Sequence, residues 1–587
     1  TETYRTATKR PTSMTTQTYA PPYSSLSSLV PNLSTTSWGN YYPNASVTAT
    51  DAADPYGQAA WTAVWDRFSP VNYTTGIYST TVSPTPIPTS ELVLPPPDYF
   101  GPTDCYTFPE GFMLGVSGAA AQIEGAVATE GRTPTFPDLI GNSPGLAYDY
   151  TTIENYFLYK QDIVRLASMG VKYYSFSIPW TRILPFVLPG TPVNSYGLDH
   201  YDNLINFVIS QGMTPTVTML HFDTPMIFYG SSADIALPTV VGYANGGYQN
   251  ETFEDAFVNY GKILMTHFAD RVPIWFTYNE PFAYSFNGKS VDTVIKSHAR
   301  LYHFYHSTLN GTGRVGLKLS NNFGVPLDPN NSTDLEAAKQ FNEFQIGTFA
   351  NSIMLGIDYP EAFKIREPNY VPLTAEDLAY LNGTADFMGV DPYTSTVITA
   401  PPGGIATCVA NPNKTTNPLF PFCVVQSETT QLGWDIGYRS QSYVYITPKY
   451  FRTYLSYLWN TWKLPILVTE FGFTVFDESP KSLGAQRYDL ERSQYYLSFM
   501  SEMLRAIWED GVEVLGAFAW CFADNWEWGD YGQQFGLQAV NRTTQERFYK
   551  KSFFDLVEFV NSRLPGQGQG QGQGHGKWGN NGRNWHA

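Results

Sequence analysis

Cysteine is almost missing from this chain. Cys105, Cys408, Cys423 and Cys521 are the four thiols among 587 residues. None falls in a C-x-x-C spacing, which removes the usual cysteine metal site. Cys408 and Cys423 flank one Pro/Asn-rich loop and can staple it in an oxidising compartment; the alternative is four free thiols. Charge is scarce too, at 15% of residues, with 35 Lys and Arg against 52 Asp and Glu and a formal charge of −17. An acidic chain without a basic run has no electrostatic footprint for nucleic acid or an anionic membrane. No stretch of about 18 apolar residues occurs, so no membrane span is expected. No Gly-x-Gly-x-x-Gly follows an apolar run, which leaves a dinucleotide site without support. The opening "TETYRTATKR" carries no signal-peptide pattern and is compatible with a leader already removed.

What is plentiful is apolar and aromatic residues, 43% and 16% of the chain, enough for a large core. Asn-X-Ser/Thr occurs at Asn32, Asn44, Asn72, Asn250, Asn310, Asn330, Asn331, Asn382, Asn413 and Asn541. That frequency leads us to expect N-glycans and a secreted, extracellular protein. Residues 1–100 form a Ser/Thr/Pro/Tyr-rich extension, read as an extended segment or covering arm in which "AAWTAVWDRF" (59–68) predicts a short helix. Residues 563–587 are a low-complexity Gly/Gln tail, read as a disordered end.

Between them, over residues 101–562, eight short apolar runs alternate with long amphipathic segments. The runs are 111–120, 173–180, 214–220, 274–280, 314–320, 386–393, 465–471 and 515–522. Helices are predicted over 153–170, 252–269, 292–309, 334–355 and 487–510, the first ending on Gly170. Continuous apolar strands separated by helices predict an α/β fold with a buried parallel sheet. Eight of them match a (β/α)8 TIM barrel, with an open doubly wound sheet as the alternative.

In a barrel of this kind the site lies at the C-terminal strand ends. Two runs stop on a carboxylate: "WFTYNE" on Glu280, beside Asn279, and "LVTE" on Glu470. Two carboxyls facing one cavity are what cleavage of a glycosidic bond needs, one to protonate the leaving oxygen and one to attack or to activate water. A strand-end Glu can equally cap a helix or pair with Arg. "WCFADNWEWGDYG" (520–532) follows the last run; Trp520 and Trp528 can stack on sugar C–H faces, and Glu527 can bind hydroxyls. His221, with Asp223 nearby, ends the third run, and Gln122 ends the first; both can hydrogen-bond a hydroxyl, though a structural histidine is the plainer reading of His221. His298, His303 and His306 share one segment at a spacing unsuited to a metal and are expected in the core or on the surface.

At these residues the chain closely resembles glycoside hydrolase family 1, the β-glucosidase family, from "FPEGFMLGVSGAAAQIEGA" (108–126) to "RFYKKSFFDLVEFV" (547–560). The resemblance implies a (β/α)8 barrel, retaining hydrolysis of β-linked sugars, and neither a metal nor an organic cofactor. Carried over motif by motif, it implies that Glu280 in "TYNEP" is the acid/base with Asn279 on the sugar's 2-hydroxyl, and that Glu470 in "VTEFG" is the nucleophile. Gln122 and His221 then bind the glycone, Tyr393 in "GVDPY" stands beside the nucleophile, Trp520 is the platform, and Glu527 and Trp528 grip the outer hydroxyls of an unphosphorylated sugar. The loop 396–433 would line the leaving-group side.

Four positions depart from that pattern. Ser175 in "YYSFSIPW" stands where the family has an arginine beside the nucleophile, Asp391 replaces an Asn, Phe471 follows the nucleophile, and Phe222 replaces a Trp. Arg182 matches a different arginine of the family. A hydroxyl in place of a cation, plus an added acid, predicts a raised pKa for Glu470 and two acids able to share a proton. The expected activity is hydrolysis of terminal β-D-glucosyl residues from cello-oligosaccharides or aryl and alkyl glucosides. The alternatives are transglycosylation, a β-galactosidase or β-fucosidase on the same site, or a weakened protein that binds sugar without hydrolysing it.

Overall fold

The computed structural model of the chain describes residues 8, 17–30, 33–42, 51–71, 76–80, 84–94, 105–228, 247–249, 251–285, 288–320, 322–412 and 417–565. The Gly/Gln tail from residue 566, and Asn32, Asn44, Asn72, Asn250 and Asn413, lie outside them.

Each of the eight apolar runs forms a strand: β1 (Met113–Gly118), β2 (Tyr173–Ser177), β3 (Thr214–Leu220), β4 (Ile274–Asn279), β5 (Arg314–Ser320), β6 (Met388–Asp391), β7 (Ile466–Phe471) and β8 (Val514–Trp520). They pair in parallel in sequence order, and β8 closes on β1. The fold is therefore a closed (β/α)8 barrel. Its strands read as unbroken apolar runs because helices cover one face and the barrel interior the other. The longer helices around the barrel are α1 (Asn155–Met169), α2 (Ser195–Ser210), α3 (Glu251–Phe268), α4 (Gly288–His303), α5 (Ser332–Asn342), α6 (Pro448–Trp462), α7 (Leu490–Glu509) and α8 (Lys551–Asn561). Gly170 closes α1 at φ 85°, in the left-handed region that glycine enters without strain. None of the described helices is long and apolar enough to cross a membrane.

The floor of the barrel is packed with side chains. Met113, Ile274, Phe276, Phe387, Leu467 and Phe518 form one buried cluster. A Cβ on Gly115 would come within 2.4 Å of the Phe518 ring, so glycine is what lets that ring lie flat across β1. Near their C-terminal ends β4 and β7 lose register with their neighbours, between Phe276 and Asn279 and between Val468 and Phe471. Such slips re-aim side chains at a strand's rim, and here they precede Glu280 and bracket Glu470.

The described part of the extension runs up the outside of the barrel. At the N-terminal strand ends, the Tyr19 amide donates to the Asp270 carbonyl, and Thr312 N–H to the Tyr19 carbonyl. Thr35–Thr36 then adds a short parallel pairing to Val193–Asn194. The helix Gln58–Phe68 covers the predicted segment. It begins where Asp51 accepts from the Gln58 and Ala59 amides, and presents Trp61, Val64, Trp65 and Phe68 at helical spacing. Trp61 and Trp65 are fully buried with Trp38, Val127, Ala128 and Tyr150. Both indole N–H groups donate to the Arg132 carbonyl, at 3.1 and 2.9 Å, which satisfies their polar ends inside an apolar contact.

Cys408 and Cys423 are joined by a disulfide. Cys105 is exposed, and Cys521 is buried, as free thiols. The stapled loop packs on α5 through Phe422, and the Phe422 ring also lies 5.8 Å from that of Phe282, two residues beyond Glu280.

Candidate active site

The four strands β4 to β7 bring three carboxyls and one ammonium to the same point. Oxygens of Glu280, Asp391 and Glu470 all lie within 4.8 Å of one another. Glu470, 3% exposed, is held at both oxygens: Lys318 Nζ donates to Oε1 at 3.0 Å, and the Tyr393 hydroxyl to Oε2 at 3.0 Å. Lys318 is a residue that the sequence reading missed. The expectation that Ser175 leaves this carboxyl without a cation is therefore corrected: the cation arrives from β5 instead of β2. Ser175 itself is buried, and its hydroxyl has no partner among the described residues. The signal was present in "RVGLKLS", where Lys318 sits between two leucines at a register position that a closed barrel turns inward.

Burial raises the pKa of Glu470, while Lys318 and the Tyr393 hydrogen bond pull it back. Glu280 is pushed up to about 8, first by burial and then by the charge of Glu470, with Lys318 opposing. Asp391 is pushed well up for the same reasons; Thr469 Oγ1 donates to its Oδ1 at 2.6 Å and its Oδ2 has no partner among the described residues. Glu280, at about 8, holds its proton at neutral pH, and Glu470 accepts from two donors.

Around this point the other anticipated residues converge. His221 stacks 5.5 Å from Trp520 at 14° and 6.5 Å from Trp528 at 18°. Its Nε2 is 3.2 Å from the Asn279 side-chain nitrogen. Its Nδ1 lies 3.9 Å from Glu470, but burial and Lys318 lower its pKa well below the usual value, so this contact is not an ion pair at neutral pH. Asp223 accepts from the His221 amide at 3.0 Å and is pushed up to about 7 by burial. Gln122 Nε2 donates to Glu527 at 2.9 Å, and the Trp520 indole also bonds Glu527, whose own pKa is raised to about 8 by burial and by Glu470. The buried acceptors Gln122 Oε1 and Asn279 Oδ1 have no partner among the described residues. Tyr443, 52% exposed, stands 6.1 Å from Tyr393 and was not anticipated.

The turns that carry these groups are strained. Glu280, Phe222 and Trp528 adopt φ of 45°, 62° and 48°, a conformation that costs a side-chain-bearing residue roughly 1–2 kcal/mol. The remaining candidates lie elsewhere. Arg182 is buried over the Tyr156 ring and pairs with Glu124 at 3.2 Å, away from Glu470. His298 is a core residue between Thr277 and the Thr384 carbonyl, His303 bonds the Tyr380 carbonyl, and His306 pairs with Asp386.

The profile of the family described as glycosyl hydrolase family 1 matches residues 105–563. The chain belongs to glycosyl hydrolase family 1. As a family 1 member it is a glycoside hydrolase among β-glucosidases. "Beta-glucosidase 1B" of Phanerodontia chrysosporium is 32% identical over 479 residues, 76% of this chain and 84% of its own length. The structure of the β-glucosidase from Trichoderma harzianum superposes with a TM-score of 0.71 at 28% identity, over 79% of this chain and all of that one. That of a family 1 β-glucosidase from Humicola insolens in complex with glucose gives 0.69 at 28% identity, over 78% and 99%. The family 1 region leaves out the N-terminal arm, whose tryptophans pack against its loops.

Proposed function

We propose that this protein is a retaining β-glycosidase that releases terminal β-D-glucosyl residues from cello-oligosaccharides or aryl and alkyl glucosides. The observation that carries the reading is the approach of Glu280 and Glu470 within 4.8 Å. Carboxyls separated by only about 5–5.5 Å suit direct attack, whereas wider gaps leave room for a water on the opposite face. Protonated Glu280 gives its proton to the leaving oxygen as a Glu470 oxygen attacks the anomeric carbon, forming a glycosyl-enzyme ester. Glu280, now a carboxylate, takes a proton from water; the hydroxide attacks the anomeric carbon and Glu470 leaves.

The unpartnered acceptors Gln122 Oε1 and Asn279 Oδ1, together with Glu527, would take hydroxyl donors of the sugar, while Trp520 would underlie its apolar face. Glucose is the ligand of the Humicola insolens relative, which supports a glucosyl glycone here. The test is a 2-deoxy-2-fluoro-β-glucoside with a good leaving group. Mass spectrometry should find the fluorosugar on Glu470. A label on another residue, or turnover without a covalent adduct, would overturn the mechanism. Side-by-side rates on aryl β-glucoside, β-galactoside and β-fucoside, with an acceptor sugar present, separate the hydrolase from its variants.

We also propose secretion and N-glycosylation. The disulfide suits an oxidising compartment, and Asn310, Asn330, Asn331, Asn382 and Asn541 are all exposed. A mass unchanged by N-glycosidase treatment of protein from its native source would count against glycosylation.

A further inference from the structure

Among the described residues, the cation paired with Glu470 is Lys318. Lys318 is 2% exposed, with its Nζ 3.0 Å from Glu470 Oε1 and 5.2 Å from the centre of the Phe276 ring. Its backbone is tied to the other acid, because the Glu280 amide donates to the Lys318 carbonyl at 2.8 Å. One residue of β5 therefore registers both ends of the reacting pair. Among the described residues, no other Lys or Arg pairs with Glu470. The groups that face Glu470 from the remaining elements are neutral or acidic. These are His221 after β3, Glu280 after β4, Asp391 and Tyr393 at the end of β6, Tyr443 in the loop beyond, and Glu527 after β8.

We propose that Lys318 is the positioning residue of the nucleophile: its buried ammonium keeps Glu470 ionised among three other acids and fixes which oxygen faces the anomeric carbon. The proposal rests on the retaining reading above. Without the ammonium, Glu470 would meet Glu280, Asp391 and Glu527 with only the Tyr393 hydroxyl to hold it. It would then pick up a proton at higher pH and stop attacking. An opposite charge at this distance lowers a carboxyl's pKa by about 1–3 units, so its removal acts in the reverse sense.

The experiment compares the full chain with Lys318→Met, Lys318→Gln and Lys318→Arg. Gln keeps a hydrogen-bond donor without charge, and Arg keeps the charge. Two readouts are followed: the rate of covalent labelling by a dinitrophenyl 2-fluoro-β-glucoside, and the pH profile of kcat/KM on an aryl β-glucoside. Both neutral variants should label about 100-fold slower or worse, and the acidic limb of their profile should move up by about one pH unit or more. Lys318→Arg should keep that limb within about half a pH unit of wild type, whatever its rate. The proposal is overturned if either neutral variant retains the wild-type limb, or if Lys318→Arg moves it as far as Lys318→Met does. If Met fails to fold, the Gln and Arg pair decides. Failure of the wild-type protein to label at Glu470 would sink the retaining mechanism itself, and is seen before any variant is made.

Discussion

Glu280 and Glu470 stand at the ends of two strands 190 positions apart, and their separate environments assign their work. Replacement of Glu470 by Ala should lower kcat by about a thousandfold or more on every substrate, measured by product release; a variant within tenfold of wild type would rule out the assigned nucleophile. Glu280→Gln should behave differently. Leaving groups that need no protonation should still depart in the first step, while poor ones slow by about 10²–10⁴-fold, so pre-steady-state bursts with dinitrophenyl and alkyl glucosides separate the two. The pH dependence has a definite sign. Glu280 acts as an acid only while protonated, so kcat/KM should fall as pH rises through about 8, and fall again in acid as Glu470 takes up a proton. The two glutamates were legible because a carboxylate ending an apolar run, before a turn residue, is costly to leave without a purpose. Lys318 was not, because a lysine between leucines also describes a strand with one wet face; only closure of the barrel turns that position inward. The raised pKa expected of Glu470 has a different balance from the one read in the sequence, for burial lifts it against a cation that the departure at Ser175 had hidden.

The barrel strands were legible for the same reason that they are stable. Buried on both faces, each is an apolar stretch of strand length between turn signals. The short sheet of Phe323–Pro326, Ser395–Thr399 and Val425–Ser427 left no such trace, since segments of three to five residues carry too little periodicity to register. Its outer loop is where the disulfide lies. Breaking that bond with Cys408→Ser and Cys423→Ser frees a loop of 15 residues, a change of about 3 kcal/mol on a chain-entropy estimate. It should show as a lower Tm with the catalytic pH profile unchanged. The helix Gln58–Phe68 was visible as a local pattern, but its docking was not, because the Arg132 carbonyl it seeks is about 70 residues away. Trp61→Ala or Trp65→Ala should cost about 3–5 kcal/mol locally. Limited proteolysis should then cut within 51–71 before the barrel melts; resistance equal to wild type would mean that the arm is held elsewhere.

For the molecule as a whole, buried acids set the stability profile. Glu280 and Glu527 at about 8, Asp223 and Glu154 at about 7 and Asp489 at about 6 all sit above their ordinary carboxyl values. A raised carboxyl binds more protons folded than unfolded, so its favourable contribution is present in acid and is lost as pH rises from the ordinary value through the folded one. Glu478, lowered by Arg492 and Lys550 despite its burial, works in the opposite direction and loses its contribution in strong acid. Tm should therefore peak in mild acid and decline towards pH 8; a maximum at or above pH 8 would contradict this balance. The arm that wraps the barrel adds a constraint of another kind, one of timing. Tyr19 waits for Thr312, 293 residues later in the chain, which at about 5–20 residues per second is roughly 15–60 s of translation. Trp38, Trp61 and Trp65 are covered sooner, because Val127, Ala128, Tyr150 and the Arg132 carbonyl follow them far more closely in the chain. The two attachments of the arm therefore close at different times, the tryptophan contact early and the Tyr19 contact late.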